Sequence, residues 1–253
     1  MTEQRDLLPP DERYRRAAEK RERILAWLSD EGWSSVPVLA DALGLTVEPT
    51  RRALRSLMRD GLVRRQELSR PQTRPLVVYT LTPHGSLMAS DPDDSEVLPE
   101  HYTPRLSVVS FEHGLGVQQA RIQAERAGWT EWCGTRRAKA RAERYGWPKV
   151  PDAIGRDPEG QVVAIEVERT AKTPRRYREI VAMYLQMTAG PELDRVQYLC
   201  PDPRLVPRLR GLWGRIDYVV IDGKRWPVKD EHRARFSFAG LENWPGTEDR
   251  DDG

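Results

Sequence analysis

The stretch that decides the fold of the second half of this chain runs from Trp147 to Tyr184 and reads WPKVPDAIGRDPEGQVVAIEVERTAKTPRRYREIVAMY. A Pro-Asp pair at 151–152 precedes a short apolar segment, and the Asp-Pro-Glu-Gly sequence at 157–160 is typical of a tight turn. An alternating segment follows the turn, and a basic helical segment ends the stretch. We therefore predict that residues 153–156 and 161–170 pair as an antiparallel hairpin.

Three carboxylates meet on this predicted hairpin. Successive side chains of a strand face opposite sides, so Glu166 and Glu168 share one side, and strand pairing brings Asp152 close to both. Carboxylates this close repel each other unless a cation or protons compensate them, and their hard oxygens suit Mg²⁺ or Mn²⁺. We predict a metal site with Asp152 and Glu166, and Glu168 as a further catalytic candidate. The alternative is a solvated strand face whose acids pair with Arg156 or Arg169.

The composition is that of a polar globular protein. Of the 253 residues, 38% are hydrophobic and 32% are charged, and no apolar run approaches the ~20 residues that cross a bilayer. The first residues contain no apolar signal core, so we expect neither export nor membrane association. The two cysteines, Cys133 and Cys200, lie far apart without a CxxC spacing. This pattern argues against a zinc site or a disulfide framework and favours the cytoplasm.

The first ninety residues form a unit of their own. Helical apolar patterns with capping residues are followed by two strand-forming segments that flank a basic tip. Leu54, Leu57 and Met58 are predicted to form the buried face of the third helix. The predicted elements are helices over 11–30, 35–44 and 46–59, and strands over 62–68 and 76–81. This order resembles the winged helix-turn-helix superfamily, which implies that residues 12–90 are a DNA-binding domain.

Charge supports a DNA-facing role for this unit. Residues 46–88 contain eight arginines against three acids, an excess of five positive charges. Arginines on a recognition helix contact guanine edges and phosphates, and arginines in a wing reach an adjacent groove or the backbone. The predicted DNA-binding residues are Arg51, Arg52, Arg55 and Arg59 on the third helix, and Arg70 and Arg74 near the hairpin tip. In the alternative interpretation the domain binds a protein, and its arginines are only solvated.

The rest of the chain is predicted to be an α/β domain of the α+β type, with a mixed sheet. Residues 91–104 include five acids and are typical of a linker, and residues 239–253 are predicted to be an acidic tail without fixed structure. The domain between them, 105–238, has a strongly basic segment in which Arg136 and Arg137 are further predicted DNA contacts. Besides the hairpin, its predicted elements are helices from 111, over 174–187 and over 205–213, and strands over 129–133, 196–200 and 216–221.

The hairpin and its flanking segments resemble the PD-(D/E)XK restriction-endonuclease-like core. In that superfamily, one acid near the hairpin and one on the next strand hold a divalent metal beside the scissile phosphate. The resemblance implies that Asp152 and Glu166 have these roles and that Glu112, on the preceding helix, is an additional acid. The family lysine, two residues after the second acid, is Glu168 here. The chain therefore lacks that charge stabiliser, and Lys172 is a candidate substitute from a different position.

A second resemblance, to the replication-relaxation family, spans residues 12–225. It rests on the order of FEHGLGV, EWCGTRRA, PDAI and VAIEVERT, which follow the winged helix and precede a helix with Tyr177 and Tyr184. The family includes accessory proteins of plasmid mobilisation and replication. The resemblance implies binding to double-stranded DNA, with a relaxase or replication protein as a candidate partner. A homodimer is a further open possibility. His113, in the first of these motifs, then has either a structural or a catalytic role.

These observations leave three functional hypotheses. In the first, the chain is a DNA-binding accessory protein whose nuclease-like domain cuts DNA weakly or not at all. In the second, it is a Mg²⁺- or Mn²⁺-dependent endonuclease that uses Asp152 and Glu166. In the third, it is a transcriptional regulator with an oligomerising α/β domain. Glu168 at the position of the family lysine favours the first hypothesis over the second.

Overall fold

The structure is a computed structural model that describes residues 9–69, 74–90 and 107–246. The chain divides into two units, Met1–Val108 and Val109–Gly253. The predicted linker, 91–104, and the predicted DNA contact Arg70 lie outside the described residues. So do residues 247–253 of the predicted tail.

The first unit follows the predicted order of elements and then adds one helix. Its elements are α1 (Pro10–Glu31), α2 (Val36–Leu43), α3 (Val47–Arg59), β1 (Val63–Leu68), β2 (Leu76–Leu81) and α4 (Pro83–Ala89). The two strands pair antiparallel, with Val63 opposite Leu81. The core lies where the first three helices meet the two strands, and its best-buried apolar side chains, each at most 1% exposed, are Ile24, Leu28, Leu39, Leu54, Leu57 and Val78.

The buried face of α3 differs from the prediction at one position. Met58 is 37% exposed, whereas Thr50 is fully buried and its hydroxyl donates to the Thr46 carbonyl over 3.0 Å. On a helix, Thr50, Leu54 and Leu57 form one stripe, and Met58 lies at the margin of that stripe. The assignment of Met58 to the core was therefore wrong.

The unpredicted helix α4 begins with a side-chain cap. The Thr82 hydroxyl accepts a hydrogen bond from the Gly85 backbone N–H over 3.0 Å and donates to the Gly61 carbonyl over 2.6 Å. A Cβ added at Gly85 would lie 1.9 Å from the Leu62 carbonyl oxygen. The helix can approach the preceding turn this closely only because residue 85 has no side chain.

The second unit is a mixed α/β structure. Its helices are α5 (Val108–Arg126), α6 (Thr135–Tyr145), α7 (Pro174–Met187), α8 (Leu205–Gly214) and α9 (Asp230–Arg233). Its strands are β3 (Thr130–Cys133), β4 (Ala153–Arg156), β5 (Val162–Val167), β6 (Arg195–Cys200), β7 (Tyr218–Ile221), β8 (Lys224–Pro227) and β9 (Phe236–Gly240), and a 3-10 turn covers Leu241–Asn243. Together with the helical first unit, this architecture confirms the predicted α+β class.

Five strands form the main sheet in the order β3-β4-β5-β6-β9. The pairs β3-β4 and β4-β5 are antiparallel, and β5-β6 and β6-β9 are parallel. In the β4-β5 pair Ala153 faces Ile165 and Arg156 faces Val162, so the predicted hairpin is present. Strands β7 and β8 form a separate antiparallel pair.

The folded part of this unit extends beyond the predicted boundary at residue 238. Strand β9 continues to Gly240, and Leu241 and Trp244 are buried against the sheet. The predicted tail therefore starts too early, because two apolar side chains after residue 238 contribute to the core.

Strand β5 lies inside the sheet and has helices over both faces. Val163, Ile165 and Val167 belong to the cluster that contains side chains of α5. Ala164 belongs to the cluster that contains Tyr177 and other side chains of α7. Helices on both sides of the sheet bury both faces of β5, so Glu166 and Glu168 lie in a buried layer beneath α7 rather than on a solvated strand face.

Candidate functional site

Asp152 occupies a fixed position where the chain enters β4. One oxygen of its carboxylate accepts a hydrogen bond from the Val167 backbone N–H over 2.8 Å. The other oxygen, Oδ1, lies 3.1 Å from Nε2 of His113 on α5. The Asp152 backbone N–H donates to the Ile165 carbonyl over 3.1 Å. Strand pairing therefore holds this carboxylate against the middle of the sheet.

His113 is the basic side chain that faces Asp152. The hydrogen bond to Asp152 raises the pKa of His113 above its usual 6.5, and partial burial opposes that rise. Protonation of the imidazole is thus favoured by the carboxylate beside it. The sequence left a structural and a catalytic role open for His113. The contact with Asp152 supports the structural role, because it links α5 to the start of β4.

Glu166 lies on β5 on the side of the sheet that α7 covers, and it is 8% exposed. Its Oε1 lies 2.6 Å from Nζ of Lys149 and accepts a hydrogen bond from the hydroxyl of Tyr184 on α7. Burial raises the pKa of Glu166 to about 7, and the negative charge of Asp152 adds to the rise, while Lys149 and Tyr184 oppose it. Asp152 and Glu166 therefore influence each other within one buried site.

Glu168 follows β5 and has a different set of partners. Its Oε2 contacts Nζ of Lys172, and the hydroxyl of Tyr177 lies 3.4 Å from the same oxygen. The Lys172 backbone N–H donates to the Tyr177 hydroxyl over 3.0 Å. Burial raises the pKa of Tyr177 to about 12, so this phenol stays protonated and keeps its hydrogen. Lys172 thus offsets the negative charge of Glu168.

The described residues do not bring these carboxylates together as one metal-ligand set. No group of three or more His, Cys, Asp and Glu side chains within 9–69, 74–90 and 107–246 has the geometry to hold a metal ion. Each acid instead contacts its own basic side chain: Asp152 contacts His113, Glu166 contacts Lys149, and Glu168 contacts Lys172. This arrangement does not fit a metal bound by all three acids. Binding by Asp152 and Glu166 alone stays a prediction.

The other predicted acid and the predicted arginine partners lie elsewhere. Glu112 pairs with Arg169, with 2.6 Å between the guanidinium Nη2 and Oε2. Arg156 pairs with Glu131 over 2.9 Å. The alternative that Arg156 or Arg169 neutralises the acidic hairpin was therefore wrong, although the hairpin carboxylates do have cationic partners.

The functional partners that sequence reasoning did not assign are Lys149 and the tyrosines of α7. Lys149 lies three residues before Asp152, in the basic segment, where nothing in its spacing indicates a contact with β5. Tyr177 and Tyr184 are seven residues apart, which places them on one face of a helix. That spacing was a usable signal that both phenols face the same strand.

In the first unit, α3 presents the predicted arginines to solvent. Arg51, Arg52, Arg55 and Arg59 are all exposed, because the opposite face of the helix is buried in the core. Glu48, on the same helix, lies 2.6 Å from Nη2 of Arg55 and 4.0 Å from Nη1 of Arg51.

The remaining predicted DNA contacts have mixed exposure. Arg74 is exposed, whereas Arg136 and Arg137 lie in the first turn of α6 and are half-buried. Lys139 and Arg144 are the more exposed cations of that helix. The basic segment is therefore a helix whose first arginines are partly covered.

Comparisons with known proteins agree with part of this description. A family model described as replication-relaxation matches residues 25–196, about two thirds of the chain. A solved structure of Lactococcus lactis ZitR, the C30AH42A mutant in apo form, is 20% identical and matches with a TM-score of 0.26, too low to assign a fold. That match covers 31% of this chain and 57% of the other. The comparison with curated proteins yields no match. Among the described residues, no helix is long and apolar enough to cross a membrane.

Proposed function

This chain belongs to the replication-relaxation family, and from that premise we propose that it is a DNA-binding accessory protein of plasmid or mobile-element replication or mobilisation. In this proposal the first unit is a winged helix-turn-helix domain that binds double-stranded DNA in the cytoplasm. The second unit is a restriction-endonuclease-like domain that binds DNA or a partner protein, such as a relaxase or a replication protein, without efficient cleavage.

The observation that carries the proposal is the arginine face of α3. Arg52 and Arg59 are exposed, and their side chains have no ion pair or hydrogen bond with other described residues. Arg51 and Arg55 share one acid, Glu48, so this face keeps a surplus of positive charge. DNA phosphates are the partner that such a surplus suits, because each neutralised phosphate releases condensed counterions.

The pairing of the buried acids supports the non-cleaving part of the proposal. A nuclease site must stabilise the charge that builds on the scissile phosphate. Lys172 is already in contact with Glu168, and Lys149 lies 2.6 Å from Glu166. Both ammonium groups are thus engaged by carboxylates of this chain rather than free to face a phosphate.

The test of duplex binding is the double variant Arg55→Ala/Arg59→Ala, measured by anisotropy with labelled duplex DNA at several salt concentrations. Two lost phosphate contacts should weaken binding and flatten the log–log salt slope by about two. The control, Arg13→Ala/Arg15→Ala, removes the same charge from exposed positions on α1 and should keep the wild-type slope. Wild-type affinity and slope in the α3 variant would reject this face as the DNA contact.

A second candidate function, metal-dependent endonuclease activity, is favoured by one feature of the acidic site. The charge of Asp152 adds to the rise in the pKa of Glu166, so the two carboxylates interact electrostatically, and a shared cation would relieve their repulsion. A divalent metal held there would polarise a scissile phosphate and activate a water. Lys149 would then supply the positive charge beside the site. In the PD-(D/E)XK pattern that charge comes from a lysine at the position of residue 168.

A further inference from the structure

Helix α8 presents an arginine face to solvent. Its inner face buries Leu209 and Trp213 in the core of the second unit. Residues 205–214 include no acid, so no charge within the helix compensates its basic side chains. With the two cap positions counted, the exposed arginines are Arg204, Arg208, Arg210 and Arg215.

Three of these arginines follow one line along the helix. Arg204, Arg208 and Arg215 are separated by four and seven residues, and such spacings place side chains on one helix face. Gly211 lies on the same line, where an added Cβ would be 3.9 Å from Nη2 of Arg215. The Arg215 side chain therefore reaches back along this face. Together, Arg204, Arg208 and Arg215 form the α8 arginine line.

The charges of the α8 arginine line are largely uncompensated. The side chains of Arg208 and Arg215 have no ion pair or hydrogen bond with other described residues. Nε of Arg204 lies 3.9 Å from Oδ1 of Asp202, and this arginine side chain is 93% exposed, so the contact is weak. Like charges four residues apart on a helix repel each other. An anion bound to both Arg204 and Arg208 would relieve that repulsion.

Several exposed cations elsewhere in the second unit pair with acids of their own helix. On α7, Arg175 and Arg176 both contact Glu179. On α6, Lys139 lies 3.8 Å from Glu143. Such pairs three or four residues apart are typical of a solvated helix face whose charges compensate each other. Helix α8 has no acid for this purpose, so its outer face favours an anionic partner from outside the chain.

We propose that the α8 arginine line binds the phosphate backbone of a DNA duplex. Guanidinium groups donate to phosphate oxygens in pairs of hydrogen bonds, and each neutralised phosphate releases condensed counterions. This contact rests on the proposed function, in which the second unit binds DNA or a partner protein. It assigns DNA to that unit and names the surface that holds it.

The composition of α8 favours a duplex over a single strand. The aromatic residue of this helix, Trp213, is buried, so the helix offers no platform on which an unstacked base could lie. A duplex carries one phosphate per ~1.7 Å of its axis, about twice the charge density of a single strand. The arginine line therefore recognises charge rather than sequence.

The test measures binding of the full-length chain to labelled duplex DNA by anisotropy at several salt concentrations. Arg208→Ala/Arg215→Ala removes two phosphate contacts, so it should weaken binding and flatten the log–log salt slope by about two. Arg208→Lys/Arg215→Lys keeps both charges and should retain most of the slope. Thermal unfolding followed by circular dichroism should be nearly unchanged, because neither side chain loses a partner and alanine favours a helix.

The matched control is Arg175→Ala/Arg176→Ala. It removes the same charge from two exposed arginines on a helix of the same unit, but these arginines are already paired with Glu179. The control should keep the wild-type affinity and salt slope. An equal loss in the control and in Arg208→Ala/Arg215→Ala would show a general effect of net charge and would overturn the assignment to α8.

Two further outcomes would overturn this assignment. Wild-type affinity and slope in Arg208→Ala/Arg215→Ala would show that α8 does not contact the duplex. Binding of a polyglutamate peptide that requires the two arginines, together with duplex binding that does not, would make the line a contact for an acidic protein.

The Arg55→Ala/Arg59→Ala variant separates the two proposals. If it keeps wild-type duplex binding while Arg208→Ala/Arg215→Ala loses affinity and slope, the DNA contact of α3 is rejected and that of α8 stands. If only the α3 variant loses affinity and slope, the contact of α8 is rejected and that of α3 stands. Losses in both variants, which should add in the quadruple variant, support both contacts.

Discussion

Replacing Glu166 with glutamine tests the buried charge network. Burial raises the pKa of this carboxyl from 4.5 to about 7, and the charge of Asp152 adds to the rise. The folded protein therefore keeps a proton on Glu166 at pH values at which the unfolded chain has released it. Because the folded state binds more protons, Glu166 contributes stability that is present below pH 4.5 and is lost as the pH rises to about 7.

The rise from 4.5 to about 7 corresponds to about 3 kcal/mol of unfolding free energy lost over that pH range. Glutamine has nearly the same shape and does not titrate, so Glu166→Gln should lack this share of the pH dependence. The readout is the slope of the unfolding free energy against pH rather than its absolute value, because the variant also leaves Lys149 without its carboxylate partner. His113 contributes in the same direction, since its pKa is raised, so the variant should retain a smaller decline.

The assay is urea unfolding at a series of pH values from 4.5 upward, with EDTA present so that no divalent cation contributes. The transition of the first unit is an internal reference, because neither Glu166 nor His113 lies in it. The control is Glu131→Gln, whose exposed carboxylate has a pKa lowered by its hydrogen bond to Arg156 and titrates below this range. If Glu166→Gln loses stability with rising pH as steeply as the wild type does, Glu166 is not the source of this pH dependence.

Two further predictions concern the close contact of α4 and the acidic site. Gly85→Ala should lower the stability of the first unit by about 2 kcal/mol or more, because the new Cβ meets the Leu62 carbonyl oxygen. The same change at Gly211, inside α8 and with the nearest atom 3.9 Å away, should be neutral or stabilise its unit by up to about 1 kcal/mol, because alanine favours a helix more than glycine does. Equal destabilisation at the two glycines would contradict the steric argument. Wild-type protein should cut supercoiled plasmid little in Mg²⁺, and Glu168→Lys should increase nicking if Asp152 and Glu166 hold a metal. Strong wild-type cleavage that Asp152→Ala abolishes would replace the accessory-protein proposal with the endonuclease.

Much of the local structure was predictable because its causes are local. The Asp-Pro-Glu-Gly turn and the alternation after it led to β4 and β5, and the structure pairs them as expected. The cap that starts α4 was also present in the sequence, since Thr82 followed by Pro83 is a common beginning of a helix. Strand β9 was harder to predict, because its pairing partner β6 precedes it by more than thirty residues.

The sequence by itself determined that Asp152 and Glu166 lie near one another, because a hairpin with period-two alternation leaves few other arrangements. Only the tertiary structure decided what neutralises them. His113 comes from α5, Lys149 from the segment before β4, and Tyr184 from α7, and no spacing rule connects these positions to β5. The helices that cover both faces of β5 exclude water from Glu166. Charges taken out of water need partners of their own, and the packing of the helices over the sheet selects which side chains provide them.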